Sequence, residues 1–68
     1  MNVIKSFGDK IKVLRLEKGY SQEELASRAG IDRTYISDIE KGERNVSLKI
    51  IEKLALALDR EIFELFKK

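Results

Sequence analysis

Three glycines divide this chain at nearly equal intervals, and the segments between them are patterned as helices. Gly19, Gly30 and Gly42 lie 11 and 12 residues apart. Apolar residues recur between them at helical spacing, and no alternating strand pattern competes. Proline is absent, which suits a compact all-helical protein. The sequence therefore predicts an all-α fold of about five short helices joined by short loops.

The length of 68 residues allows one domain, so we expect residues 1–68 to form a single unit. A chain this short buries only about 60% of the surface that its unfolded form exposes, so it needs additional stabilisation. The sequence contains no Cys and no His, which excludes disulfides and the usual zinc sites. We therefore expect no metal and no cofactor, and we look to tight helix packing and to oligomerisation.

The predicted helices cover residues 3–18, 21–30, 32–41, a fourth segment from residue 47, and residues 59–68. Ser21, Asp32, Ser47 and Asp59 are the expected N-caps, with Glu24 completing a capping box at Ser21. Gly8, inside the first helix, allows close approach of a neighbouring helix. The residues expected in the core are Ile4, Phe7, Ile11, Leu14, Leu25, Ala26, Ala29, Ile36, Ile39, Leu48, Ile51, Leu54, Ala55 and Leu58.

The second and third helices are separated by a very short turn. The second ends at Gly30, which supplies a positive φ at little steric cost, and the third begins just after Ile31. A turn this short makes the two helices cross steeply, as in a helix-turn-helix. Ile31 and Ile36 then fill the corner, and the third helix projects with its N-terminal half available to a major groove.

The runs SQEELA (21–26), AGI (29–31) and IDRTYISDIEKGERN (31–45) resemble the lambda-repressor-like, or Xre-type, helix-turn-helix family. The resemblance extends over nearly the whole chain and implies a sequence-specific DNA-binding transcriptional regulator. Within the family, IDRTYIS followed by an RN-S step is most similar to the controller proteins of restriction–modification systems. An antitoxin-like interaction module or a phage-type repressor on the same fold remains an alternative.

The resemblance also implies roles for individual residues. It places Arg33, Thr34 and Asp38 at base edges, with Tyr35 and Ser37 on the same exposed face. It places Gln22 and the loop residues Lys41, Arg44 and Asn45 on the DNA backbone. It pairs Arg15 with Glu40, tying the motif to the scaffold. We therefore expect base contacts from Arg33, Thr34, Tyr35 and Asp38, and backbone contacts from Gln22, Ser37, Lys41, Arg44 and Asn45.

Physical chemistry supports several of these roles independently. The fork of Arg33 can bind guanine O6 and N7, and Thr34 suits a base edge or a thymine methyl. Two roles stay open for Asp38, which either accepts from cytosine N4 or holds Arg33 or Lys41 in place. Tyr35 has the alternative of a core tyrosine with an exposed hydroxyl.

The C-terminal segment carries more apolar residues than a domain this small can bury. Such a patch more often marks a protein interface, so we expect a symmetric homodimer built from the last two helices. The alternative is that Phe63 and Phe66 fold back to close the monomer core. The expected interface residues are Ile50, Ala57, Ile62, Phe63, Leu65 and Phe66.

Other function classes fit the composition poorly. No nucleophile–base pair, phosphate-cradling glycine loop or paired-carboxylate pocket is present, so we expect no enzyme and no catalytic residues. The net charge of +2 is too small to argue for nucleic acid by itself. No segment suits a membrane or a signal peptide. The expected partners are double-stranded DNA and a second copy of the chain, in the cytoplasm, with no small-molecule ligand.

Overall fold

Four α-helices and one 3₁₀ turn make up the computed structural model, which describes residues 2–66. Helix α1 spans Val3–Glu17, α2 spans Gln22–Ala29, α3 spans Arg33–Glu40, α4 spans Leu48–Leu58, and the 3₁₀ turn spans Ile62–Leu65. No strand occurs within these residues, in agreement with the predicted all-α class. None of the four helices is both long and apolar enough to cross a bilayer, over residues 2–66.

The three internal helices begin at the predicted N-caps. The side-chain oxygens of Ser21, Asp32 and Ser47 each accept a backbone N–H from the first turn, at 3.0, 2.7 and 3.2 Å respectively. Only half of the predicted capping box forms at α2, because the carboxylate of Glu24 pairs with Arg28 at 2.6 Å instead. These caps satisfy backbone donors that a helix leaves without partners, so they fix the starts of α2, α3 and α4.

The core lies between the inner faces of all four helices. Ile39 and Leu54 come from different helices and are both essentially inaccessible to solvent, as their positions at helical spacing predict. The expectation for Ile4 is only partly met, since its side chain is half-buried. The largest fully buried side chains are Ile11, Leu25, Ile36, Ile39, Leu54, Leu58 and Leu65.

Helices α1 and α3 approach each other closely at Gly8, as predicted. A Cβ atom placed on Gly8 would collide with the carbonyl oxygen of Ile39 and would lie 3.3 Å from the Cα of Glu40. No residue other than glycine fits this crossing without moving one helix. The close approach brings the end of α3 against α1, where Glu40 and Arg15 meet.

The predicted fifth helix over residues 59–68 is wrong, and its last two residues lie outside the described part. Asp59 does not start a helix but ends α4, in the left-handed conformation with φ +56°. The next N–H, from Arg60, donates back to the carbonyl of Ala55 at 3.0 Å, which is the hydrogen bond of a Schellman termination. The chain therefore reverses here, and the part of it that is described after α4, through residue 66, forms only the short 3₁₀ turn.

Two leucines exchange their predicted environments. Leu48, expected in the core, is 84% exposed, whereas Leu65, expected at an interface, is completely buried. The reversal after α4 carries Leu65 inward, and it also places the ring of Phe66 5.1 Å from that of Phe7. Phe63 stays 65% exposed. Of the two aromatic residues, Phe66 is thus the one that folds back toward the monomer.

Candidate nucleic-acid interface

Helices α2 and α3 form the predicted helix-turn-helix corner. Gly30 has φ +68°, and the N–H of Ile31 donates to the carbonyl of Ala26 at 2.9 Å, so α2 ends in a left-handed turn. Asp32 then caps α3 immediately. Ile31 packs half-buried against the core and Ile36 is fully buried. One side of α3 is therefore fixed to the body, and its opposite side faces solvent.

A buried hydrogen-bonded ion pair fixes the far end of α3. Arg15 donates to both carboxylate oxygens of Glu40, at 2.7 Å through Nε and at 3.0 Å through a terminal nitrogen. Its other terminal nitrogen donates to the carbonyl of Tyr20 at 2.9 Å. The side chains of Arg15 and Glu40 are only 9% and 4% exposed. The structure thus brings together the two residues that the resemblance pairs.

Gln22 joins this network from the start of α2. Its Nε2 donates to Glu40 Oε1 at 3.1 Å, so Glu40 receives hydrogen bonds from both α1 and α2. The hydrogen bonds with Glu40 raise the pKa of Arg15, although burial opposes this. The guanidinium consequently stays charged under all ordinary conditions. Three helices are locked together around one carboxylate, and this sets the orientation of α3.

The outward face of α3 carries side chains with no internal partner. Arg33, Thr34 and Lys41 are exposed, and Ser37 is half-exposed. Within residues 2–66, the structure gives Arg33 and Lys41 no ion pair and no side-chain hydrogen bond. Both cations can therefore bind a ligand without breaking a contact of the folded chain.

Tyr35, Asp38 and Arg44 form a cluster at the edge of this face. The guanidinium carbon of Arg44 lies 4.4 Å from the centre of the Tyr35 ring. Arg44 Nε lies 3.6 Å from Asp38 Oδ2. One alternative from the sequence was that Asp38 holds Arg33 or Lys41 in place. That alternative is wrong, because the ion pair of Asp38 is with Arg44. Asn45 follows in the exposed loop.

The C-terminal apolar residues separate into two groups. Ile50 and Ala57 are half-buried against the core, and the completely buried Leu65 cannot contribute to an interface in this conformation. We therefore withdraw Leu65 from the predicted interface. The exposed large apolar residues of this region are Leu48, Leu56, Ile62, Phe63 and Phe66.

Leu48 and Leu56 are the interface candidates that sequence reasoning missed. They lie one turn on either side of Glu52, on one stripe of α4. Leu48 also lines an open groove of about 360 Å³ together with Ile62 and Phe66. The sequence does contain a signal for their exposure. The charged residue Glu52 lies midway between the two leucines at helical spacing, which indicates that this stripe of α4 faces away from the core.

Comparisons with known proteins agree with this geometry. The profile of the helix-turn-helix family matches residues 11–65. The chain is 52% identical to control protein C.MunI of a Mycoplasma species, covering 97% of this chain and 92% of that protein. It is 53% identical to control protein C.BamHI of Bacillus amyloliquefaciens, covering 84% and 72%. The crystal structure of the restriction–modification controller protein C.AhdI from Aeromonas hydrophila superimposes with a TM-score of 0.91, at 52% identity, covering 93% and 96%.

Proposed function

This chain belongs to the Xre-type helix-turn-helix family, and from that premise we propose that it is a homodimeric DNA-binding transcriptional regulator that controls a restriction–modification system. The observation that carries the proposal is the outward face of α3. Arg33 and Thr34 lie exposed in its first turn, while Ile36 and Ile39 anchor the opposite side in the core. This arrangement suits insertion of the N-terminal half of α3 into a major groove.

Phosphate contacts supply most of the affinity and base contacts supply the specificity. In the proposed complex, Arg33 and Thr34 read base edges, and Lys41, Arg44 and Asn45 bind the backbone on one side. Because Gln22 Nε2 donates a hydrogen bond to Glu40, the main effect of Gln22 is to brace α3. Ser37 lies on the same face at half exposure and contacts the backbone.

Controller function is supported by relatives that match over almost their whole length. C.MunI and C.AhdI are matched over 92% and 96% of their own chains, so they have little additional sequence in which a different function could reside. The other matched regulators include SinR of Bacillus subtilis, of which the chain covers only 53%. Controller function is therefore supported by the similarity itself, which is 52% identity both to C.MunI and to C.AhdI.

The dimer is supported by the exposed apolar surface of α4 and the 3₁₀ turn. Leu56 is 77% exposed and Phe63 is 65% exposed, and apolar surface of this kind marks an interface more often than not. Two copies related by a two-fold axis would present their recognition helices to successive major grooves, about 34 Å apart. We therefore expect a near-palindromic operator.

DNA reading is tested by selecting duplexes from a random pool and then titrating variants. We expect Arg33→Ala to lose about 5- to 150-fold of its preference for the selected over a scrambled duplex. Arg44→Ala should weaken both duplexes and reduce the slope of log affinity against log salt by about one. Arg60→Ala is the matched control, because it removes the same charge from a side chain that lies after α4 and is paired with Glu17. It should change neither the preference nor the salt dependence. Identical discrimination by Arg33→Ala and wild type would refute base reading.

The dimer is tested by sedimentation of wild type and of Leu56→Glu. We expect a dimer for the wild type and a monomer for the variant, which should then bind the palindrome no better than a half-site. A monomeric wild type would refute the homodimer and would favour the antitoxin-like alternative, in which the apolar surface awaits a different partner.

A further inference from the structure

A carboxylate lies on the surface that carries the DNA-contacting side chains. Asp38 is on α3, three residues after Tyr35, and its side chain is 28% exposed. A negative charge at this place repels the phosphates of a bound duplex. If Asp38 is to favour DNA binding, it must make a favourable contribution to the binding free energy that exceeds this repulsion. The contacts of Asp38 within the protein indicate what that contribution is.

Asp38 holds the loop after α3 at two points. Its carbonyl oxygen accepts the N–H of Glu43 at 3.0 Å, and its carboxylate lies 3.6 Å from Arg44 Nε. The guanidinium of Arg44 also rests 4.4 Å from the centre of the Tyr35 ring, and that ring packs against the core. Arg44 is thus held between a charge and an aromatic face, both supplied by α3.

The geometry leaves the outer edge of Arg44 available. The carboxylate approaches through Nε, so the two terminal nitrogens keep their donors for another acceptor. Two parallel N–H donors from one guanidinium suit the oxygens of a phosphate. A long loop side chain that is already held loses less conformational freedom when it binds.

We propose that Asp38 is a positioning residue, which together with the Tyr35 ring holds Arg44 ready for a backbone phosphate and which reads no base. The inference rests on the proposed DNA-binding function. It accounts for an acidic residue on the recognition face, because the benefit of a preorganised Arg44 exceeds the repulsion from Asp38. It also gives the Tyr35 ring a role that does not require a base contact.

A double-mutant cycle on the selected duplex tests the proposal. In the presence of Arg44, Asp38→Asn should weaken binding about three- to tenfold, although it removes a negative charge from the DNA-facing surface. In the Arg44→Ala background, the same substitution should leave binding unchanged or tighten it, because only the loss of repulsion remains. The expected result is that the weakening caused by Asp38→Asn disappears or changes sign when Arg44 is absent, and a simple loss of folding would not produce it.

Glu43→Gln is the matched control. Glu43 is exposed in the same loop, so its substitution removes an equal charge near the DNA without removing a partner of Arg44. It should tighten binding slightly in both backgrounds. Thermal melting of every variant shows that each is folded at the assay temperature.

Three results would overturn the inference. Tighter binding of Asp38→Asn in both backgrounds would mean that Asp38 only repels DNA. Loss of preference at one base pair in both backgrounds would mean that it reads that base. Unchanged affinity and salt dependence in Arg44→Ala would remove the phosphate contact itself. If neither the wild type nor any variant binds a duplex even at low salt, the result refutes the proposed DNA-binding function, and not only the role of Asp38.

Discussion

The buried pair of Arg15 and Glu40 predicts a large loss of stability when Arg15 is replaced by methionine. The substitution removes two hydrogen bonds to the carboxylate, of 2.7 and 3.0 Å, and one of 2.9 Å to the carbonyl of Tyr20. Glu40, with a side chain only 4% exposed, keeps the single hydrogen bond from Gln22. An uncompensated buried charge of this kind costs about 3–5 kcal/mol.

That loss is large for a chain of this length. A domain of 68 residues has a free energy of unfolding of roughly 3–10 kcal/mol, so Arg15→Met should remove a large fraction of it. Because the pKa of Arg15 is raised in the folded state, its contribution is fully present below the unfolded pKa and is lost only as the pH rises through the folded value. Titration of Arg15 therefore does not affect a measurement near neutral pH.

Urea denaturation followed by circular dichroism measures the loss. Arg28→Met is the matched control, since Arg28 makes an exposed pair with Glu24 and stacks over Tyr20 at 4.5 Å. It should cost about 1 kcal/mol. If Arg15→Met loses no more than this control at an unchanged urea dependence, the pair does not hold α3, and the reasoning is refuted.

Two further substitutions test the backbone of the fold. Gly8→Ala should lower the free energy of unfolding by about 2 kcal/mol in urea denaturation, because overlap with the Ile39 carbonyl outweighs the better helix propensity of alanine. Ser27→Ala, at an exposed helix position, should lose nothing, and an equal effect of both would contradict the close approach of α1 and α3. Asp59→Gly should raise the free energy of unfolding by about 1 kcal/mol, which corresponds to several degrees in the melting temperature. Glycine adopts the left-handed conformation without strain, and the substitution removes a negative charge from the C-terminal end of α4. A lower melting temperature would show that the Asp59 side chain stabilises this termination.

The helix starts and the helix-turn-helix corner could be predicted because their determinants are local. Ser21, Asp32 and Ser47 cap helices through hydrogen bonds that reach only two or three residues along the chain. Gly30 marks a left-handed turn that few other residues adopt. Short-range geometry of this kind is present in the sequence itself.

The end of α4 could not be predicted in the same way. Asp59 suits an N-cap, and aspartate also tolerates the left-handed conformation better than most residues. The local sequence allows both, and the hydrogen bond from Arg60 to Ala55 is what distinguishes them in the folded chain. The predicted fifth helix failed for that reason.

The recognition surface shows the same division between local and tertiary information. The sequence, with its family resemblance, predicted an exposed face of α3 that carries Arg33 and Thr34, and it predicted the Arg15–Glu40 pair; the structure shows both features. Helical periodicity shows which residues share a face, but it does not show how far a neighbouring element extends, so it misplaced Leu48 and Leu65. Only the tertiary structure placed Arg44 against Tyr35 and Asp38, because a loop has no repeat from which the direction of its side chains follows.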